Sequence, residues 1–214
     1  MQLLPSSITV STAPASVEMT TLATARDELG VTGTGSDPRI QRYIREASAR
    51  IVAYCGRDFA SAVLVETFRP DPCGRLGQDL DCLLLSRTPV ASISSVAEDG
   101  AAVDASGYEL AADTGELWRV GSSGARTAWS GTVATVTYRG GYAMVTDLPE
   151  ELEAACLELV RLAWFQRQRD PSLRSESVPG VRDASYQIGT PGGADGLPDT
   201  VRAALDRYRR LTVA

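Results

Sequence analysis

The amino-acid sequence predicts an α+β fold in which helices pack against a small antiparallel β-sheet or barrel. Three observations support this prediction. Residues 36–56 form a helix with its own start and stop signals, short strand-like segments separated by turn residues follow it, and a second long helix begins near residue 149. No helix-length pattern lies between the strand-like segments, so antiparallel pairing is favoured over parallel pairing.

The predicted boundaries divide the 214 residues into four parts. Residues 1–19, rich in Ser, Thr, Pro and Ala, form an extended N-terminal arm, and residues 20–169 form the core. Glycine and proline interrupt residues 170–197 too often for regular structure, so we interpret this segment as a tether. The tether leads to residues 198–214, which contain a C-terminal amphipathic helix.

The helix over residues 36–56 has two chemically opposed faces. We expect Ser36 to cap its N-terminus, Pro38 to lie in the first turn, and Gly56 to take the left-handed conformation that ends a helix. The face expected to pack in the core carries Ile40, Tyr43, Ile44, Ala47, Ile51 and Tyr54. The other face carries Arg39, Arg42, Arg45, Glu46 and Arg50. These arginines form either a solvated surface or a contact surface for a neighbouring chain or nucleic acid.

Six short segments between the two long helices have the composition of β-strands. They span residues 63–68, 82–85, 93–97, 108–110, 117–120 and 133–138. Turn residues separate them, among them Glu98-Asp99-Gly100 and Asp113-Thr114-Gly115. The links have hairpin length, which predicts that neighbouring strands pair antiparallel.

Two further helices flank these segments. A short one over residues 22–29 is opened by Thr20 or Thr21 and closed by Gly30, and a long one covers residues 149–169. The long helix has acidic residues in its first turn, where they suit the helix dipole, namely Glu150, Glu151 and Glu153. We expect it to pack beside the helix over residues 36–56.

The C-terminal helix, over residues 198–211, needs a surface on which to dock. A helix of about 14 residues is marginal alone in water, and the 28-residue tether has a reach of roughly 30 Å. We therefore expect docking on a neighbouring subunit or partner protein, with packing onto the same subunit as the alternative. The expected contact residues are Val201, Leu205, Tyr208, Leu211, Arg209 and Arg210.

Composition excludes several classes of function. All 21 basic residues are Arg, and the chain has neither Lys nor His. Catalytic triads, Cys-His pairs, Schiff-base lysines and P-loops are therefore impossible, because each needs one of these side chains. The net charge of -6 argues against general DNA binding. The N-terminus has no basic segment or long apolar run, so we expect no signal peptide, no membrane anchor and synthesis in the cytoplasm.

The four cysteines are Cys55, Cys73, Cys82 and Cys156, and none forms a CxxC pair. Without His, a zinc site would need all four thiolates from scattered positions, so free thiols are expected. We predict no metal, no cofactor and no catalytic residue.

Two short segments invite a functional interpretation beside a structural one. Asp113-Thr114-Gly115 resembles the catalytic tripeptide of aspartic proteases, but Glu116 follows it, and a hairpin turn is the favoured interpretation. Residues 121–131 form a Gly and Ser loop that carries Trp129. This aromatic ring is either tucked onto its own sheet or used as an anchor on a partner.

The order of these parts resembles the head-tail connector (adaptor) proteins of long-tailed bacteriophages and of phage-derived gene transfer agents. The likeness covers about residues 20–169. It is carried in order by TTLATARDELGV, AYCGRDF, LLLSRTPVASISSVAEDG, YEL, GELW, VTYRGGY and DLPEELEAACLELV. Its most specific pieces are Gly56-Arg57 before Phe59, the strand entry Pro89-Val90, and Tyr138-Arg139-Gly140-Gly141-Tyr142 shortly before Leu148-Pro149.

The resemblance implies a non-enzymatic ring of about twelve copies that joins the portal protein of a DNA-filled head to a tail-side neck protein, a stopper or terminator. Such a protein is assembled in the bacterial cytoplasm and lies at the head-tail interface of the virion or gene transfer agent particle. DNA would pass through its channel without sequence-specific binding. The C-terminal helix would then meet the portal or a neighbouring subunit, the arginine face a neighbouring subunit or the channel, and Trp129 the tail side.

Two alternatives stay open beside the connector interpretation. A DNA-binding packaging accessory protein would use Arg39, Arg42, Arg45 and Arg50 on phosphates. An aspartic protease would use Asp113.

Overall fold

The structure, a computed structural model, describes residues 2–3, 5–69, 82–167, 175–178, 182–185 and 196–210. It divides into two compact units. The strand unit comprises Met1–Val17 and Asp58–Thr146, and the helical unit comprises Glu18–Arg57 and Asp147–Ala214.

Within the described residues, the strand unit is built from short strands and one 3-10 turn (Ala105–Gly107). In chain order the strands are β1 (Gln2–Leu3), β2 (Ser7–Thr12), β3 (Ala62–Phe68), β4 (Cys82–Leu84), β5 (Val90–Glu98), β6 (Ala101–Ala102), β7 (Tyr108–Ala111), β8 (Glu116–Val120), β9 (Arg126–Thr127) and β10 (Ala134–Gly140). All six segments predicted as strands are strands, with ends that shift by up to three residues.

The strands form two sheets. The first has the order β1-β4-β8-β7, with β9 also pairing with β8, and only its β1-β4 pair is parallel. The second has the order β2-β3-β10-β5-β6 and is antiparallel throughout. Neither path closes on itself, so the predicted sheet or barrel takes the form of two open sheets.

Both sheets contribute to one hydrophobic core. β3 alternates between buried and half-buried residues, as expected for a strand with one face on a core. The core side chains are Ala62, Leu64, Phe68, Leu83, Leu85, Val90, Val96, Leu117, Trp129, Ala134, Val136 and Tyr138. The turns around them agree with the sequence: Asp99 (φ 48°) and Gly100 (φ 82°) link β5 to β6 through the left-handed conformation that such hairpins need.

The helical unit contains four helices and a two-stranded hairpin within the described residues. They are α1 (Leu22–Glu28), α2 (Asp37–Cys55), α3 (Glu150–Gln166) and α4 (Asp199–Leu205), with β11 (Ser175–Val178) paired antiparallel to β12 (Arg182–Ser185). None of the described helices is long and apolar enough to cross a membrane.

The helix termini follow the predicted signals with one exception. The Thr21 side chain accepts a hydrogen bond from the Thr24 N–H at 3.0 Å and so caps α1. At the end of α2, Gly56 is left-handed (φ 62°) and its N–H bonds to the Val52 carbonyl. The side chain of Ser36 makes no capping hydrogen bond, because its backbone is already helical (φ -101°, ψ -4°), so the predicted cap is wrong in this detail.

α2 and α3 pack against each other through their predicted apolar faces. The buried residues of α2 are Ile40, Tyr43, Ile44, Ala47, Ser48, Ile51 and Cys55, and those of α3 are Leu152, Ala155, Cys156, Leu159 and Val160. Ser48 lies 3.7 Å from the sulfur of Cys156, and its hydroxyl also accepts a hydrogen bond from the Met19 N–H. Cys55, Cys82 and Cys156 are free thiols, as expected, while Cys73 lies outside the described residues.

Both the predicted N-terminal arm and the predicted tether contain strands. β2 lies within the predicted N-terminal arm and pairs with β3. The β11-β12 hairpin lies within the predicted tether, so the expectation that residues 170–197 have no regular structure is wrong there. The rest of the tether up to residue 195 lies outside the described residues.

The C-terminal helix docks on its own chain. α4 packs against α2 and α3, and Val201 and Leu205 are only 3% and 0% exposed. A 3-10 turn over Asp206–Tyr208 follows, so the helix is shorter than predicted. The structure therefore corrects the expectation that a portal or neighbouring subunit buries these two side chains. Intramolecular docking benefits from a high effective concentration.

Polar contacts hold the end of this segment in place. The Tyr54 hydroxyl donates a hydrogen bond to the Asp206 carboxylate at 2.6 Å, and the Arg210 N–H donates to the Cys55 carbonyl at 2.8 Å. The second bond satisfies a carbonyl in the last turn of α2.

We predict that Leu205→Ala lowers the free energy of unfolding by about 2–5 kcal/mol, because it leaves a cavity between packed helices. Urea denaturation followed by circular dichroism measures this change. Phe165→Ala is the matched control: Phe165 is 46% exposed on α3, so its truncation should cost far less. Equal stability of Leu205→Ala and the native chain would contradict docking of α4 on its own unit.

Candidate functional site

The exposed face of α2 carries the predicted arginines. Arg42, Arg45 and Arg50 are exposed and Arg39 is half-buried. Arg42 forms an ion pair with Glu46 one turn later, at 3.3 Å between Nε and Oε1, with both side chains more than half exposed. Exposed pairs of this kind contribute little to stability. The face is therefore a candidate contact surface rather than a requirement of the fold.

The residues predicted to meet the portal are divided by the structure. Val201 and Leu205 are buried by the chain itself, and Leu211 lies outside the described residues. Tyr208 donates a hydrogen bond to Glu151 on α3 at 2.9 Å, and this bond lowers the pKa of the Glu151 carboxyl. Of the residues predicted to contact the portal, Arg209 and Arg210 are thus the exposed ones among the described residues.

Trp129 is tucked into the strand unit. Its side chain is 5% exposed within the core, and its indole N–H donates to the Leu117 carbonyl at 3.2 Å. The guanidinium of Arg119 lies 5.9 Å from the ring centroid. The structure therefore supports the tucked interpretation. In this conformation the Trp129 ring is not available as an anchor for a tail-side partner. The core cannot release this ring without exposing apolar surface to water.

Two carboxylates fix the loop that carries Trp129. Glu98 accepts hydrogen bonds from the Ser130 and Gly131 N–H groups at 2.9 and 2.8 Å. Asp99 accepts from the hydroxyl and N–H of Thr132, and these bonds lower the pKa of its carboxyl. A Gly and Ser loop is expected to be mobile from its sequence alone, and these contacts were not recognisable there.

Parts of the three most specific sequence pieces, namely Phe59, Pro89 and residues 138–142, meet in one place in the strand unit. The Gly141 N–H donates to the Pro89 carbonyl at 2.8 Å, and the Tyr142 N–H donates to the Phe59 carbonyl at 2.7 Å. A side chain at Gly140 would place a Cβ 2.2 Å from the Arg87 carbonyl oxygen. The two glycines are therefore needed for close backbone approach, in addition to the turn that the sequence predicts.

Arg87 reinforces this meeting point from a buried position, with 8% of its surface exposed. Its guanidinium donates to the Ala60 carbonyl at 3.1 Å and forms an ion pair with Asp58. Both partners belong to the segment that enters β3, so Arg87 ties this segment to the segment that enters β5.

A buried carboxylate, Glu66, lies at the centre of this region. Glu66 and Tyr138 are each 0% exposed, and the tyrosine hydroxyl donates to the carboxylate at 2.6 Å. The Ser86 N–H and hydroxyl also donate to Glu66, and the Arg87 N–H donates to the Tyr138 oxygen at 3.0 Å. Every contact is internal, so this cluster holds segments together and offers a substrate no access.

The tripeptide considered for catalysis has a structural role. Asp113-Thr114-Gly115 forms the turn between β7 and β8, where Asp113 is exposed and Gly115 (φ 77°) donates its N–H to the Ala111 carbonyl. The hairpin interpretation is confirmed. Among the described residues, no group of three or more Cys, Asp or Glu side chains is arranged to hold a metal ion.

Two cavities formed by described residues give little support for a small-molecule site. A cavity of about 150 Å³ beside Arg50 in the helical unit is smaller than the roughly 300 Å³ of typical ligand pockets. A surface cavity of about 490 Å³ in the strand unit is lined by Arg119, whose guanidinium already donates to the Gly107 carbonyl and to Glu98.

Comparison with models of known protein families assigns the chain to one family. The family model "Head completion protein" (HCP) matches residues 18–211, so the chain belongs to the head completion protein family. No curated protein matches it significantly.

Solved structures share its fold, and they include three of gene transfer agent particles. They are the neck of an empty gene transfer agent particle computed with C6 symmetry (TM-score 0.57), the virion of a native gene transfer agent particle (0.56), and the neck of a native particle computed with C12 symmetry (0.56). Each matching chain is 20% identical, with 97% of both chains covered. The resemblance noted from the sequence is thereby confirmed.

We predict that Trp129→Ala costs about 3–5 kcal/mol of stability, because the ring fills the core of the strand unit. A thermal melt measures this loss. Trp164→Ala, on a half-buried position of α3, is the control and should cost less. An unchanged melting temperature together with lost tail attachment would instead support the anchor interpretation.

We predict that Tyr138→Phe destabilises the protein at neutral pH by about 1–3 kcal/mol, since Glu66 loses a donor. Burial, together with the nearby Glu66 charge, raises the pKa of Tyr138 above its usual value. The folded chain therefore retains this proton where the unfolded chain loses it, and stability falls as the pH rises through about 10.

The Tyr138→Phe variant should lack the part of the alkaline fall in stability that comes from ionisation of Tyr138. Urea unfolding at pH about 8 and about 10.5 tests this, with Tyr108→Phe as the control. An equally steep alkaline loss in Tyr138→Phe and the native chain would contradict the assignment of this loss to Tyr138.

Proposed function

We propose that this protein is a non-enzymatic neck component that forms a ring between the portal protein and a tail-side stopper or terminator, in a phage or gene transfer agent particle. The observation that carries the proposal is the family match over residues 18–211, nearly the whole chain. The fold shared with necks computed with C6 and C12 symmetry supports a ring of about twelve copies.

The charge of the chain supports passage of DNA through the ring. At -6 and without lysine, each copy presents no basic excess to phosphates, so DNA can slide past without being held. Arginines on the exposed face of α2 would then serve contacts with acidic surfaces of neighbouring subunits.

The buried polar cluster supports a structural role rather than catalysis. An active site must place its titratable groups within reach of a substrate. Glu66 and Tyr138 are fully buried and bonded to each other. Their hydrogen bonds join strands and loops of a scaffold.

The contact with the portal is proposed for the exposed end of the chain beyond α4. Arg209 and Arg210 project there as exposed side chains. The Arg209 guanidinium lies 5.1 Å from the Tyr54 ring centroid, so it is placed next to the end of α2. These arginines would pair with acidic groups of the portal.

The proposal predicts that particles lacking this subunit consist of full heads without tails. Electron microscopy of particles from a strain in which its gene is deleted tests this, with the intact gene supplied in trans as the control. Normal tailed particles in the deletion strain would refute the proposal.

The arginines of α2 distinguish the ring from a DNA-binding accessory protein. We predict that Arg42→Glu with Arg45→Glu lowers the yield of tailed particles at least about tenfold, because reversed charges on this face would repel acidic neighbours, and leaves DNA retention by the purified subunit unchanged. Arg161→Glu, at a half-exposed position of α3, is the matched control. Retardation of DNA by the native chain with steep salt dependence, lost in the double variant, would favour the accessory protein.

A further inference from the structure

The second sheet of the strand unit ends at β2, which is exposed along its whole length. One edge of β2 pairs with β3, and no strand in the described part of the chain pairs with its outer edge. Such an edge presents a row of backbone N–H and C=O groups. A strand from another chain can pair with them and extend the sheet.

The apolar side chains of β2 continue the buried face of the sheet. Ile8 lies opposite Glu66, and Val10 lies opposite Leu64. Residues opposite each other in register share one face of a sheet, and here Glu66 and Leu64 are 0% and 1% exposed. Ile8 and Val10 are each 48% exposed on that face. The core face therefore extends beyond the covered part of the core.

β2 lacks the features that keep edge strands from pairing. Its sequence, SITVST, contains no charged residue and no proline, both of which natural monomeric proteins use to protect edges. Its Ile, Thr and Val residues are β-branched and suit a paired strand. A one-residue register shift between Val10 and Thr12 leaves Ser7–Val10 as a regular segment.

The opposite side of the same sheet also has an open stretch. On β5, only Ala97 and Glu98 pair with β6. The preceding residues 91–95, with the sequence ASISS, are uncharged, and all but Ile93 are exposed. One copy of the chain thus carries an open edge at β2 and a short open stretch on β5. Backbone hydrogen bonds bound this stretch, from the Val90 N–H to the Ala112 carbonyl and from the Val103 N–H to the Val96 carbonyl.

We infer that β2 of one copy pairs antiparallel with residues 91–95 of the next copy, so that the sheet continues around the ring. The partner is a second copy of this chain, and Ile8 and Val10 are covered by that neighbour. This inference rests on the ring in the proposed function and names the contact that forms it.

The strand directions within one copy fit this arrangement. β2, β3, β10 and β5 alternate in direction, so β2 and β5 run opposite ways. A rotation about a ring axis preserves each strand's direction along that axis, so the next copy's β2 arrives antiparallel to β5. The contact is head to tail, which a closed ring of many copies requires. Pairing of β2 with another β2 would instead close a dimer.

Val10→Lys tests the role of the edge, since an inward-pointing charge on an edge strand blocks pairing. Because Val10 is half exposed, we expect a melting temperature within a few degrees of the native chain and a drop of at least about tenfold in tailed particles. Val17→Lys is the matched control: Val17 is 57% exposed, lies outside β2, and should leave the yield unchanged. Normal assembly of Val10→Lys would overturn the inference.

Cross-linking tests the identity of the partner edge. Thr9→Cys is combined in turn with Ser92→Cys and with Ser95→Cys, whose positions share the outer face of the sheet with Thr9. We expect assembled particles of at least one double variant to give a ladder of disulfide-linked multimers on a non-reducing gel. Each single variant should give no ladder.

The outcomes separate the inference from the proposed function. A ladder, with loss of assembly in Val10→Lys, supports pairing between copies. Register shifts give β5 two extra residues against β10, and such bulges can also keep an edge from pairing. If no double variant gives a ladder, β5 is not the partner strand and the inference is wrong. If the native protein is absent from the neck of the particles, the proposed function itself is wrong, whatever the cross-linking result.

Discussion

The buried carboxylate of Glu66 constrains the strand unit. A polar group taken from water into a core without a partner costs roughly 2–7 kcal/mol, so every neighbour of Glu66 must be placed to donate a hydrogen bond. Tyr138 on β10 and Ser86 in the segment before β5 do so. Neither can move without leaving the carboxylate short of donors. One side chain on β3 thereby fixes the positions of a neighbouring strand and of a loop that carries no regular structure.

Several sequence pieces that carry the family resemblance stand far apart in the chain but have residues that meet beside Glu66. The segment fixed by Ser86 places Arg87 where its carbonyl oxygen leaves no room for a side chain at Gly140. Gly141 has a left-handed backbone (φ 96°). A Cβ atom at this position would lie 2.7 Å from the carbonyl oxygens of Phe59 and Ala60, so no larger residue fits. Gly140 and Gly141 therefore leave room for carbonyl groups of the other two pieces within the strand unit.

The sequence was sufficient to predict elements that depend on local chemistry. Gly56 ends α2 as expected, and the α2 and α3 stripes pack together because helical periodicity places them on one face. Tertiary contacts decided the rest. The Trp129 loop looked mobile because nothing in its own residues reveals that Glu98, 32 and 33 residues earlier in the chain, accepts the N–H groups of Ser130 and Gly131. α4 looked free for a partner because the groove formed by α2 and α3 is not visible in a linear sequence.

The large apolar faces are buried within the chain itself, and this limits the surface that remains for contacts with partners. α4 covers part of the helical unit's own core, and Trp129 belongs to the core of the strand unit, so neither supplies apolar area to a partner. Among the described residues, the exposed large hydrophobic side chains are Ile8, Val10, Val17 and Phe165. In the proposed ring, contacts between copies would therefore rely on strand edges and charged faces, each of which binds weakly alone. A ring closes such contacts simultaneously, and multivalency makes a set of weak contacts stable where one pair of copies would separate.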